Sequence, residues 1–290
     1  MTGAWPDPLS LYGELMPASF LEPIDWTAPW LGPYLDTGRP IAESPDWRAA
    51  LNRAAQQGQL VNFQGSPIQF VSQESLPDGE PYEAHIGRTG CVPTRENLHD
   101  FFNALVWLTF PQTKARLNEL QFNQLQSELE VQPAGSSYRV GNRRGALRDA
   151  ATIFDENSAL LIALDGEVPD ALVARHWSEV FLERRDDFGR LYDVLLFGHA
   201  LMEKLVKPYA SITAHCFPLI GRDLPIPCST AGARAQLDQL ARSQLSPATS
   251  TSSFFPVPVL GFPGWHEGQD QMFYANEDVF RVVKRKKASG

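Results

Sequence analysis

The chain has 290 residues, 43% of them apolar or aromatic and 20% charged, with a formal net charge of -9. That length and balance exclude collagen, coiled coil and wholesale disorder, and suit one large domain or two small ones. An acidic chain is repelled by phosphate backbones, so general nucleic-acid binding is not expected. No stretch reaches the roughly 18 consecutive apolar residues of a membrane span.

The charge is uneven. Between Met1 and Gly87 eleven acidic residues stand against Arg39, Arg48 and Arg53, which accounts for nearly the whole excess. No Lys or Arg precedes Arg39, so the cationic region of a secretory leader is missing and the reading is a cytoplasmic protein. Cys91, Cys216 and Cys228 show no C-x-x-C spacing, which predicts reduced, packed thiols rather than a disulfide framework or a zinc knuckle.

Residues 1–45 carry Trp5, Trp26 and Trp30 among eight prolines, a spacing too broken for long helices or central strands. They read as an irregular Trp/Pro-rich arm docked on a principal domain over 46–290. A short helix is expected at 47–57, and LVNFQGSPIQFV at 60–71 reads as two strand-like runs around a turn. From Asn97 to Phe110 apolar residues recur at three- and four-residue intervals, predicting a helix that Pro111 ends. A second helix follows, with Thr113 as its N-cap, to Glu130. The polar segment at 131–145 reads as a loop, 146–154 as helix, 159–164 as a buried strand, and 169–188 as one or two helices. YDVLLF at 192–197 is a strand, with a short helix from Gly198 that Pro208 stops. Ser229 or Thr230 caps a helix to Leu245, with Asp238 and Arg242 paired on its outer face. The closely spaced prolines of FFPVPVLGFPGW predict an extended segment laid over the body, and the KRKK run at 284–287 a solvated tail. The sum is an α+β fold, a mostly helical single domain with a few short strands.

Several of these strings occur together. NLHDFFNALVWLTFPQTKARLN at 97–118, RGALRDAATIFDEN at 144–157, FGHALMEKL at 197–205, PYASITAH at 208–215, LGFPGWHEG at 260–268 and FYANEDVFR at 273–281 resemble the signature of a bacterial family known only as a domain of unknown function. The resemblance implies a bacterial, intracellular protein. It brings no activity, ligand or catalytic residue with it.

The chemistry must therefore be read from the residues. On the 97–110 helix His99 and Asn103 share one face, with Asp100 turned about 100° away. An imidazole beside a carboxylate suits a metal ligand or a general base with its orienting partner. The His-Asp dipeptide also invites comparison with metal phosphohydrolases, with His85, His99, Asp100 and Asp155 or Asp165 in the ligand roles. His199 and Glu203 are four apart, a spacing that lets a carboxylate set an imidazole's tautomer or share its metal. His215 lies on a short β-like segment before Pro218. If His99, His199 and His215 meet with Asp100, Glu203 or Asp155, they form a two- or three-His, one-carboxylate site able to bind one divalent metal, Zn, Mn or Fe, and activate water. The leading expectation is thus a hydrolase acting on a small molecule or phosphoester, with His99, Asp100, Asn103, His199, Glu203 and His215 as catalytic residues and the three histidines as metal ligands. The competing one is a noncatalytic binding or scaffold protein, its histidines satisfied core groups and its termini a surface for a protein partner. An acidic turn at Asp155, Glu156 and Asn157 reads as a helix-to-strand connection. Arg88, Arg95, Arg143, Arg144 and Arg148 read either as an anion-binding rim or as partners for nearby acids.

Overall fold

The computed structural model describes residues 18–130 and 145–282. About 51% of it is helical and 13% strand, so the fold is α+β and mostly helical. Trp5, the 131–144 part of the polar loop, Arg143, Arg144 and the basic tail lie outside the described residues.

After single turns at Ser19–Leu21 and Pro29–Tyr34 come helices α1 (Leu35–Ala42) and α2 (Trp47–Gln57). Residues 18–45 contribute Leu21, Ile24, Trp30, Leu31, Tyr34 and Ile41 to the same core as the rest of the chain. Tyr34 donates its hydroxyl to the Leu196 carbonyl at 2.6 Å, and Trp30 lies against Trp265 with ring centres 5.9 Å apart. Strand β1 (Gln69–Val71), helix α3 (Tyr82–Thr89) and strand β2 (Cys91–Pro93) form a small parallel pair with its crossover. The two runs expected around the Gly-Ser-Pro turn are a single Val61–Pro67 bridge followed by β1. Gly90 ends α3 at φ +75°, and a Cβ there would stand 2.3 Å from the Pro67 carbonyl oxygen, so only glycine fits.

Helix α4 (Leu98–Thr109) is strongly apolar, with every residue from Asp100 to Trp107 buried. Phe110 breaks it from α5 (Pro111–Glu130). The break corrects one expectation: α5 starts at proline, which favours a first helical position, and Thr113 is not its cap. Asp238 of α9 (Ala231–Gln244) supplies that cap instead, accepting from the Gln112 and Thr113 amides at 2.9 and 2.8 Å and from the Thr113 hydroxyl. Asp238 is therefore buried and not on the outer face with Arg242; burial pushes its carboxyl up, although these bonds pull against that. Thr230 is the α9 cap, accepting from the Ala233 amide.

Helix α6 (Ala146–Asn157) runs straight into strand β3 (Ser158–Ala163), all six residues of which are buried. A continuous apolar run of this kind marks a strand covered on both faces. Helix α7 (Glu167–Val173), a π-turn at Glu179–Glu183 and a 3-10 turn at Arg185–Asp187 lead to β4 (Tyr192–Leu196), α8 (His199–Lys204), β5 (Thr213–Ile220), α9, β6 (Phe255–Pro258) and α10 (Gln271–Tyr274). The sheet order is β4-β3-β5-β6, with β3 and β5 parallel and the outer pairs antiparallel. β6 pairs only with residues 213–216 of β5, which is how Pro218 sits inside a strand. The proline-rich β6 is an edge strand, where missing amide donors are tolerated. Helix α6 packs on β3 and β5, α5 and α8 pack on α6, and α4 packs on α5 and α8.

Candidate metal centre

Two junctions bring the chemistry together. The Asn97 side chain caps α4 by accepting from the Asp100 amide at 2.8 Å, which puts His99 in the first turn. The link from β4 to α8 is clamped to the link from α6 to β3, because the Phe197 and Gly198 amides both donate to the Ser158 carbonyl, at 3.1 and 2.8 Å. A Cβ on Gly198 would lie 2.5 to 2.6 Å from the Ser158 and Asn157 amides and the Glu156 carbonyl. Glycine thus allows the start of α8 to lie on the end of α6, and His199 arrives beside Asp155 and Glu156.

There His99 and His199, one hundred residues apart, meet with Nε2 atoms 3.0 Å apart and rings near perpendicular. The other nitrogen of each ring looks at a carboxylate. His99 Nδ1 is 3.1 Å from Glu203 Oε2, and His199 Nδ1 is 3.8 Å from Asp155 Oδ1. Glu156 Oε2 lies 3.7 Å from His199 Nε2. Ligand atoms of His99, Glu156 and His199 all fall within 4.8 Å of one another.

While both imidazoles are neutral, no arrangement of their protons satisfies all four ring nitrogens. A carboxylate only accepts, so His99 carries its proton on Nδ1 and presents a bare Nε2. If His199 does the same, two lone pairs confront each other at 3.0 Å. If His199 instead puts its proton on Nε2, its buried Nδ1, which has no hydrogen-bond partner, turns a lone pair toward Asp155. Adding a proton to His199 is opposed by burial, then by Lys114 and His99, against a partial pull from Asp155; the net effect moves its pKa down to about 4. A cation on the two Nε2 atoms removes the conflict and leaves each imidazole in a carboxylate–histidine–metal arrangement. At a metal–nitrogen distance of about 2.1 Å, an Nε2 separation of 3.0 Å corresponds to an angle near 90°, two cis positions.

The site opens on a cleft of about 330 Å³ lined by Tyr82, Glu83, Arg95, Asn103, Asp155 and Glu156 among others. A buried lysine organises its floor. Lys114 donates to Asn103 Oδ1 at 2.8 Å and to Asp155 Oδ1 at 2.5 Å. Burial pushes the Asp155 carboxyl up, but Lys114 and His199 outweigh it and hold the group below the usual carboxylate range. Glu156 moves the other way, raised by burial and then by Asp155. Glu83, bonded to the Asn118 amide at 2.7 Å, is raised by burial, which Lys114 only partly offsets.

Of the residues singled out in the sequence, His99, His199 and Glu203 do meet, although Glu203 bonds His99 and not the histidine four residues before it. Asn103 lines the same cleft. Asp100 does too, but its carboxylate is taken by the Arg95 guanidinium at 3.0 Å through both oxygens and by the Arg95 amide at 2.7 Å. His215 is on β5 opposite Ser158 and is not part of the histidine–carboxylate group; burial lowers its pKa, with Lys204 adding to that. The phosphohydrolase pattern does not assemble: His85 is bonded to Glu80 and Asp165 caps the Glu167 amide. Arg88, Arg95 and Arg148 are paired with Glu80, Asp100 and Glu128 and make no anion-binding rim. Glu156 and Lys114 carry parts of the site that the sequence reading did not give them. The available signal for Lys114 was its place beside Thr113, Leu117 and Asn118 on the buried stripe of α5, where a lone charge demands a partner.

The family model described as "Protein of unknown function (DUF3025)" matches residues 68–284, and the chain belongs to that family. No curated protein and no solved structure matches the chain.

Proposed function

We propose that this member of the family is a metal-dependent hydrolase, with one divalent ion held by His99 Nε2, His199 Nε2 and the Glu156 carboxylate. The observation that carries the reading is the pair of facing Nε2 atoms at 3.0 Å, backed by Glu203 and Asp155 on the far nitrogens. A divalent ion in such a set polarises a carbonyl or phosphoryl oxygen and makes a bound water acidic near neutral pH. Two imidazoles and a carboxylate leave positions open for water and substrate. The chain's own groups do the rest. Glu203 fixes the His99 tautomer through its bond to Nδ1, Asp155 sets a negative charge beside His199 Nδ1, and the hydrogen-bonded Lys114, Asn103 and Tyr82 form a polar wall one helical turn from His99.

The test is metal content by plasma mass spectrometry on untagged protein prepared without chelator, then after incubation with zinc or manganese. About one equivalent is expected in the wild type. His99→Ala and His199→Ala should each lose it, while His215→Ala should keep it. A wild type that takes up no metal, or equal loss in the His215 variant, contradicts the reading. Iron as the metal retained would point instead to an oxygen-activating centre, since two cis histidines and a carboxylate also suit ferrous iron.

A further inference from the structure

Resting on the metal-centre reading, we propose that Tyr82 is a catalytic hydrogen-bond donor to the carbonyl oxygen of an uncharged acyl substrate, an ester or amide, rather than an anionic phosphoester. Lys114 Nζ is 2.8 Å from Asn103 Oδ1, and an ammonium can only donate, so the identity of the two Asn103 amide atoms is fixed. Asn103 Nδ2 must then donate, and it does so to the Tyr82 hydroxyl oxygen at 3.0 Å. The tyrosine oxygen is the acceptor in that bond, so its own proton is free for another. Among the described residues Tyr82 donates to none, and Tyr82 lines the same cleft as His99, His199 and Glu156. Burial, then the neighbouring carboxylates, raises its pKa well above the usual tyrosine value, so the proton stays on the oxygen.

The charges of the lining select the substrate class. Arg95, the arginine of the lining, is bonded to Asp100 through two oxygens, and Lys114 behind the lining is bonded to Asp155 and Asn103. Among the described residues Glu83 is hydrogen-bonded to Asn118 and to no lysine or arginine, and Glu156 likewise pairs with neither. A phosphoester entering this cleft would meet carboxylates without a free cation other than the metal. A neutral carbonyl meets no such repulsion, and the charge that develops on its oxygen during hydrolysis is met by a preorganised O–H donor.

Hydrolysis by the zinc-loaded full chain tests this, with 4-nitrophenyl acetate as the uncharged ester and 4-nitrophenyl phosphate as the anion. The ester is expected to be turned over with a kcat/KM at least about tenfold above that of the phosphate. Tyr82→Phe should lower kcat on the ester by about 3- to 10-fold, the worth of one hydrogen bond, with zinc stoichiometry unchanged; the thermal midpoint falls, because the buried Asn103 Nδ2 loses its acceptor. Asn103→Asp should give the same loss of kcat with the hydroxyl still present, because a carboxylate at 103 accepts from Tyr82 and turns its proton away from the cleft. Phosphate turnover equal to that of the ester overturns the substrate class, and an unaltered Tyr82→Phe kcat overturns the role of Tyr82. Either result leaves the metal centre standing. Failure of zinc to bind is read separately, in the zinc titration itself, and removes the metal centre together with this inference.

Discussion

Lys114 is the residue on which the polar floor of the cleft depends. An ammonium at 4% exposure is costly unless paired and hydrogen-bonded, and here Asp155 and Asn103 do both. The same contact, with His199, holds Asp155 below its ordinary pKa against the upward push of burial. A carboxyl whose folded value lies under the unfolded one, about 3.9, stabilises the fold at every pH above that unfolded value. The contribution then drains away as pH falls through the lower, folded value. Lys114→Met should therefore flatten the acid limb of stability below about pH 4, measured by urea unfolding at stepped pH, and should destabilise the protein at neutral pH by about 3 to 5 kcal/mol, the usual result of orphaning one member of a buried pair. An acid limb as steep in Lys114→Met as in the wild type contradicts this account. Asp100 illustrates the opposite case: its two bonds to Arg95 and one to the Arg95 amide make it the brace of the turn before α4.

At the scale of elements, the site depends on how closely α8 lies on the end of α6. Gly198 is the contact point, since three backbone atoms stand within 2.6 Å of where a Cβ would be. Backbone cannot swing aside as a long side chain can, so Gly198→Ala has to lift α8 and carry His199 away from Glu156. The variant should lose about 1 to 3 kcal/mol of stability and bind zinc on the order of tenfold more weakly, as displaced ligands and their supporting groups generally do. Gly232→Ala is the matched control: it is an exposed position in the first turn of α9 with nothing near its Cβ, and alanine there should hold stability or raise it slightly. Zinc affinity that falls equally in both, or in neither, removes the argument. The elements themselves were legible wherever one physical signal dominated. The apolar stripe of α4, the all-buried β3 and the Thr230 cap of α9 each follow from pattern alone. The start of α5 was not, because its amides are capped by Asp238 from 125 residues away, and no local rule reports a cap supplied by another helix.

At the scale of the whole molecule, the candidate site is a product of packing between distant segments. His99 and His199 could each be marked as candidates from helical spacing, but the sequence places them a hundred residues apart, and only the packing of α8 against both α4 and α6 brings them to 3.0 Å. The same geometry gave Glu203 to His99 rather than to its own neighbour, left His215 on the sheet outside the group, and made a ligand candidate of Glu156, whose local context reads as no more than the end of a helix. Residues 18–45 are part of this arrangement, since Tyr34 hydrogen-bonds the last residue of β4, three positions before His199. No helix among the described residues is long and apolar enough to cross a membrane.

The central claim is that the two facing imidazoles hold a metal, and zinc K-edge X-ray absorption of the protein loaded with one equivalent addresses it most directly. The account predicts a first shell with two imidazole nitrogens at about 2.0 to 2.1 Å, with the outer-shell scattering of the rings, reduced to one ring in His99→Ala and in His199→Ala. A shell of oxygens alone, or a spectrum unchanged in those variants, would contradict it.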